Sequence, residues 1–463
     1  MFEKLKNFFE LRGMKLKISD ILLLFLPVII FFHYYPQISF GEYGNTRLAI
    51  TLPIIYLVIF FIASLANIWH AKKTLLQNWY IRIFFAFNIF NTISLIWTGN
   101  FVRGLLTIGV LWLLFIATLT IISNPNIKKL LPGVAKALLL GAVIASIFAW
   151  FQVLVDALGA SSSTTLLCGG CVSENYGYAR ASAFAHEPQF FGSILTIAIL
   201  ALVYLLIKQR SVAKIILLVF LMATMTMTVS RGAILGLVVG MILLLFVARK
   251  MWKGWLVTAG YMIAGVLIGI AALGLCAEIN QRSNMTFIDA SSNTVYNLSQ
   301  GLLDFRPTEP PVAAPAVLVD NPQPNTTDQE YGDNYLDVSA NIRTSLWRGA
   351  ITEWSSSSQN IIIGVGAGGT GVALRDTVHG DFAVVQNQFL EVLLEGGIIA
   401  FALFMTMIIC WLRKTRQNKV LWAILVALLV QWCFFSGYYP NSVHIIVFVA
   451  FGLVFSSKFA RIS

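Results

Sequence analysis

The feature that most constrains this chain is a succession of apolar runs, each long enough to span a bilayer. They fall at about 18–38, 48–69, 79–97, 102–123, 134–158, 190–207, 213–229, 232–248, 255–277, 388–412, 419–436 and 441–457. A helix needs roughly 20 apolar residues to cross the hydrocarbon core. Inside that core every backbone polar group must find its partner within the segment or a closed sheet. The reading is therefore an all-α, polytopic membrane helix bundle of about twelve transmembrane helices. Charge agrees: only 11% of the residues are charged, against about 25% in a soluble domain.

The formal net charge of +11 would suggest nucleic acid if the chain were soluble. Here its distribution gives another meaning. Lys4 to Lys17, Lys72 and Lys73, Lys128 and Lys129, Lys208 to Lys214, Arg249 to Lys253, Arg413 to Lys419, and Lys458 with Arg461 fall in every second loop. By the positive-inside rule these loops and both termini are cytoplasmic. Met1 to Lys17 is basic and polar and leads straight into a spanning run, so no cleavable signal peptide is expected. The partner implied is the lipid bilayer, and no nucleic acid.

The opposite side carries Arg47, Arg103, Arg180, Arg231, Arg282, Arg306, Arg343, Arg348 and Arg375, with no lysine. The topology rule depletes both residue types alike, so it does not explain a preference for Arg. Arginine is the better bidentate partner for phosphate and carboxylate, which points to an anionic ligand on the extracytoplasmic face.

Three regions follow. Residues 1–277 hold helices one to nine, with an outer segment at 159–189. Residues 278–387 form one large extracytoplasmic loop between helices nine and ten, and residues 388–463 hold helices ten to twelve. Within the loop, 306–328 is rich in Pro, Asn, Thr and Asp and reads as a linker. From about 338 to 354 an amphipathic helix is expected. Ile342, Leu346, Trp347, Ala350, Ile351 and Trp354 share one stripe, opposite Asn341, Ser345, Arg348 and Thr352. Such a helix either lies on the outer leaflet or packs on the mouth of the bundle.

Several residues could carry chemistry. Arg231 sits in a very short turn between two apolar helices, where an ionised side chain is costly and usually functional; snorkelling is the simpler alternative. Arg180 and Glu187 flank the start of the next span, although an acid before Pro188 also suits any helix start. Beside them, His186 is either a base or an interface residue. Arg343 and Arg348 are candidates to clamp a phosphate, or else an exposed charged face. The run from Gly364 to Gly369 is similar in composition to a dinucleotide fingerprint, but no βαβ unit surrounds it. It is a tight turn whose N–H groups could meet an anion, or a hinge. His379 and Asp381 precede the tenth helix. Cys168 and Cys171 form either a disulfide or a thiol pair, the disulfide being favoured in an oxidising compartment. No metal-ligand spacing is present, so no metal and no cofactor are expected.

Taken in order, four segments resemble the O-antigen ligase and polysaccharide polymerase family of bacterial envelope enzymes. They are Arg180 to Pro188, with Ala183 where glycine is usual, and Ser230-Arg231-Gly232. The others are the arginine helix from Arg343 to Arg348, and Gly364 to Gly368 followed by Gln386 to Glu391. Gln386 stands where ligases of the family usually carry histidine. The resemblance implies a type C glycosyltransferase fold and a place in the bacterial inner membrane, with an extracytoplasmic active site. It also implies an undecaprenyl-diphosphate-linked oligosaccharide donor and a glycan, lipid A core or other lipid-linked acceptor. The diphosphate would be held by Arg180, Arg231, Arg343 and Arg348. Catalytic roles would fall to Arg231 and Arg343, with Glu187, His379 and Gln386 beside them. Protein O-glycosylation is an alternative outcome for the same architecture. A glycan transporter or flippase is the alternative class; acids within the membrane would mark ion coupling, but Asp156, Glu391 and Glu395 all sit near outer helix ends.

Overall fold

The computed structural model describes residues 15–43, 46–168, 171–173, 177–247, 252–280, 285–299, 302–305, 335–375 and 384–435. The linker 306–328, His379, Asp381 and the apolar run 441–457 lie outside them.

Among the described residues, seven helices are long and apolar enough to cross a membrane. They are α2 (Leu52–Gln77), α3 (Trp79–Ile93, extended to Ile96 by a 3-10 turn), α4 (Phe101–Ile122), α5 (Ile127–Ala157), α6 (Pro188–Lys208), α9 (Trp252–Ile279) and α13 (Gln388–Thr415). Four shorter apolar helices accompany them: α1 (Ile18–Ile29), α7 (Val212–Met227), α8 (Arg231–Val247) and α14 (Lys419–Gln431). The chain is thus an all-α, multi-pass membrane protein, and the apolar runs before residue 440 each fall on one of these helices.

The first run departs from a simple span. Its helix ends at Ile29, a 3-10 turn covers Ile30–Phe32, and Pro36 follows. Proline lacks the N–H a helix interior needs. The chain then forms a hairpin of β1 (Gln37–Tyr43) and β2 (Thr46–Thr51), antiparallel, with Ile38 opposite Ile50.

Helix α6 is the most enclosed span, packed against α5, α7, α8, α9 and α14. Without a hydrophobic drive between helices in lipid, close approach has to come from small residues and buried hydrogen bonds. Both are present. A Cβ on Gly265 or Gly269 of α9 would stand 2.7 Å from the Val219 carbonyl or 2.6 Å from that of Ala223, on α7. Gln431 of α14 is fully buried. Its amide donates to Thr196 Oγ1 at 2.9 Å and to the Ala233 carbonyl at 3.2 Å, tying α14 to α6 and α8.

Beyond α9 come α10 (Phe287–Leu298), α11 (Tyr335–Ser355) and α12 (Ser358–Ile363). Helix α11 covers the expected amphipathic segment and packs on α13, so of the two placements open for it the bundle is the one realised. Leu346 and Ala350 are buried with Leu374, Val385 and Leu394 in a small core separate from the main one. Ile351, expected on the buried stripe, is 48% exposed instead. Helix α13 is interrupted at Gly397 (φ 59°, ψ −164°), which leaves a break within the span.

Candidate active site

Three turns, far apart in sequence, meet at one end of the bundle. The first leads into α6. Gln152 of α5 is fully buried and clamps this turn through both ends of its amide. Its Oε1 accepts from the backbone N–H groups of Ser182 (3.3 Å) and Ala183 (2.7 Å). Its Nε2 donates to the carbonyls of Thr165 (2.9 Å) and Ala183 (2.8 Å). Ala183 is left-handed, with φ 48°, a conformation glycine enters without the Cβ penalty. Glu187 occupies the N-cap position of α6, ahead of Pro188 at the first turn. Its carboxylate accepts from Gln189 Nε2. His186 is exposed, and its ring lies 4.5 Å from that of Tyr34.

The second turn joins α7 to α8. Thr228 Oγ1 donates to the Met225 carbonyl at 2.7 Å and accepts from Ser230 N–H at 3.2 Å. Val229 is again left-handed, with φ 47°. This reversal delivers half-buried Arg231 as the first residue of α8. Arg180 stitches the two turns together. Its Nε donates to the Thr228 carbonyl and its Nη2 to the Val229 carbonyl, each at 3.3 Å. Its backbone N–H donates to the Cys171 carbonyl at 2.8 Å, and Cys171 is in disulfide linkage with Cys168.

The third turn starts α13. Gln386 has φ 57°. Asn387 caps the helix, accepting from the N–H groups of Phe389 (3.0 Å) and Leu390 (3.1 Å), while its amide donates to the Cys433 carbonyl at 3.2 Å. Arg343 reaches over from α11, and its Nε donates to Gln386 Oε1 at 3.1 Å.

These turns surround a cavity of about 380 Å³ lined by Arg180, His186, Glu187, Arg231, Arg343 and Gln386. Gln189, Ser230, Asn297 and Phe434 also line it, as do Phe435 and both disulfide cysteines. Three arginines face one carboxylate, an excess of two positive charges. The N-termini of α6 and α8 open onto the same space, and a helix N-terminus is a partial positive charge with backbone donors. Of the arginines named from the sequence, Arg348 is left out. It is exposed on α11 and does not line the cavity. Five residues separate it from Arg343, well over a third of a turn away around the helix at 3.6 residues per turn.

The glycine run has a different use. Gly364, Gly366 and Gly368 all have positive φ, and their loop fits into the break of α13 and the turn between α3 and α4. Gly366 N–H donates to the Glu395 carbonyl at 2.9 Å, and Ala367 N–H to Ser94 Oγ at 3.0 Å. Thr98 Oγ1 donates to the Ala367 carbonyl at 2.8 Å. The Glu395 carboxylate accepts from Thr370 Oγ1 at 2.8 Å and from the backbone of Gly368 and Thr370, with Arg103 close enough to attract it. The loop's amides therefore do meet an acid side chain, and it is the protein's own. The other two acids near outer helix ends are likewise tied to backbone. Asp156 accepts from Ser173 N–H at 3.1 Å, and Glu391 from Val385 N–H at 3.2 Å.

Reasoning from sequence did not single out Gln152, Gln189 or Asn297.

No curated protein matches the chain. Residues 216–405 match the family model described as O-antigen ligase. The matched stretch supplies Arg231, Arg343, Gln386, the glycine clasp and most of α13. The resemblance first drawn from short motifs is thus met by a family match over this stretch of the chain.

Proposed function

We propose that the protein is a membrane glycosyltransferase that moves or polymerises oligosaccharide from an undecaprenyl-diphosphate donor onto a glycan, lipid A core or related acceptor, on the extracytoplasmic face of the bacterial inner membrane. One observation carries the reading: Arg180, Arg231 and Arg343, with the N-termini of α6 and α8, line a single cavity. A diphosphate diester bears one negative charge on each phosphorus, which the excess of two positive charges balances.

The chemistry follows from that charge. An acceptor hydroxyl attacks the anomeric carbon of the donor sugar. The glycosidic carbon–oxygen bond breaks, and its electron pair leaves on the lipid diphosphate. The arginines stabilise charge that grows on the leaving group, so they lower the barrier more than they tighten ground-state binding. Glu187, fixed by Gln189 beside the cavity, takes the acceptor proton. Gln386 cannot serve as a base, because a carboxamide does not take a proton at neutral pH. Its role is to hold Arg343.

The test is expression in a cell lacking its own polymerase and ligase, followed by analysis of the glycan. Arg231→Ala and Arg343→Ala are each expected to abolish transfer while the protein still accumulates in the membrane. Full activity in both variants would sink the proposal. Movement of lipid-linked glycan without any transfer would favour the flippase alternative, and glycan found on protein would assign the acceptor.

A further inference from the structure

The cavity wall carries three side-chain amides from three separate elements: Gln189 in the first turn of α6, Asn297 near the end of α10, and Gln386 before α13. Each has one end held by the protein. The NH2 of Asn297 donates to the Asn293 carbonyl at 2.8 Å and to Asn293 Oδ1 at 3.0 Å. The NH2 of Gln189 donates to Glu187. In Gln386 the other end is held, since Oε1 accepts from Arg343 at 3.1 Å. An amide fixed at one end presents the opposite end in a set direction. Among the described residues nothing pairs with Asn297 Oδ1, Gln189 Oε1 or Gln386 Nε2. The wall therefore offers two neutral acceptors and one neutral donor beside a cluster of arginines.

Such a set does not suit a diphosphate. Phosphate oxygens only accept, so carbonyl oxygens in the wall would repel them. The set suits a neutral group that both donates and accepts, such as the hydroxyls or an acetamido substituent of a pyranose. From this we infer that Asn297, Gln189 and Gln386 form a sugar-recognition subsite for the first pyranose of the donor, adjoining the arginine subsite. Asn297 is its main specificity residue. The inference rests on the lipid-diphosphate reading above and adds to it a division of labour. Arginines hold the headgroup that every such donor shares, and amides read the sugar that differs between donors. A polar contact of this kind discriminates because the wall group is left unpaired when the wrong sugar occupies it.

Asn297 is the residue to change, because its removal leaves the Glu187 and Arg343 contacts in place. Binding of two probes to the purified full chain in nanodiscs separates the subsites. The probes are undecaprenyl diphosphate, and undecaprenyl diphosphate carrying one N-acetylhexosamine. Wild-type protein is expected to bind the sugar-bearing lipid more tightly. Asn297→Leu and Asn297→Ala are expected to lower that affinity about fivefold to tenfold, the scale of one lost hydrogen bond, and to leave binding of the bare diphosphate unchanged. The unchanged affinity also shows that the variants fold. Equal affinity of wild type for the two lipids, or Asn297 variants that shift both lipids alike or neither, overturns the subsite while the diphosphate reading stands. Failure of wild type to bind either lipid overturns both.

Discussion

Gln152 shows how one buried side chain can decide whether a site exists. It satisfies two backbone N–H groups and two carbonyls at once, and a leucine would remove all four of these bonds. Each buried unpaired group costs about 1–3 kcal/mol. Gln152→Leu is therefore expected to cost about 3 kcal/mol or more of stability, read as a fall in melting temperature in detergent, with transfer activity lost in parallel. Ala183→Gly is the opposite case, because φ 48° is natural to glycine, so that variant is expected to keep full activity. At this scale the arginines were legible in the sequence. Charges placed at the ends of apolar runs are costly and stand out. The amides were not, because Gln152 and Asn297 carry no charge and their value lies in partners distant along the chain. Gln386 illustrates the limit. Its place in a motif was readable, but its contact with Arg343 comes from an amphipathic helix beyond the linker.

Among the elements, the contact between α7 and α9 depends on Gly265 and Gly269, whose missing side chains let backbone meet backbone. Gly265→Leu and Gly269→Leu are each expected to separate these helices and lower thermal stability by several degrees, as bulk added to packed interiors costs about 1–3 kcal/mol. A thermal scan on purified protein checks this, with Gly260→Leu as the control, since a Cβ there meets nothing within 4 Å. Hydropathy made the helices themselves legible, because lipid demands long apolar runs and leaves few alternatives. It did not reveal the hairpin from Gln37 to Thr51. Apolar residues such as Ile38, Phe40 and Ile50 extend an apolar run in composition whether the backbone is strand or helix. Nor did it reveal the use of the glycine loop, whose partner Glu395 read from sequence only as an acid near an outer helix end.

The cavity draws on residues from Cys168 to Phe435. Gln388 N–H donates to the Trp432 carbonyl, and Asn387 to that of Cys433, so the third turn is held by the segment after α14. A chain stopped at residue 384 is expected to insert its earlier helices yet bind no undecaprenyl diphosphate, measured with the same nanodisc assay. Charge alternation along the sequence indicated which loops share a side. It gave no view of which helices would be neighbours, since lipid-facing and helix-facing surfaces are both apolar.

That dependence on the last helices has a consequence in time. Helices leave the ribosome in order, and the arginine of α8 reaches the membrane long before the turn that opens α13. Until α13 and α14 arrive, Arg231 has neither Gln386 nor Phe434 opposite it. A half-made chain would then hold Arg180 and Arg231 at their two turns, without the wall that Gln386, Phe434 and Phe435 complete. The enclosed cavity is thereby a property acquired only once α13 and the segment after α14 are in place.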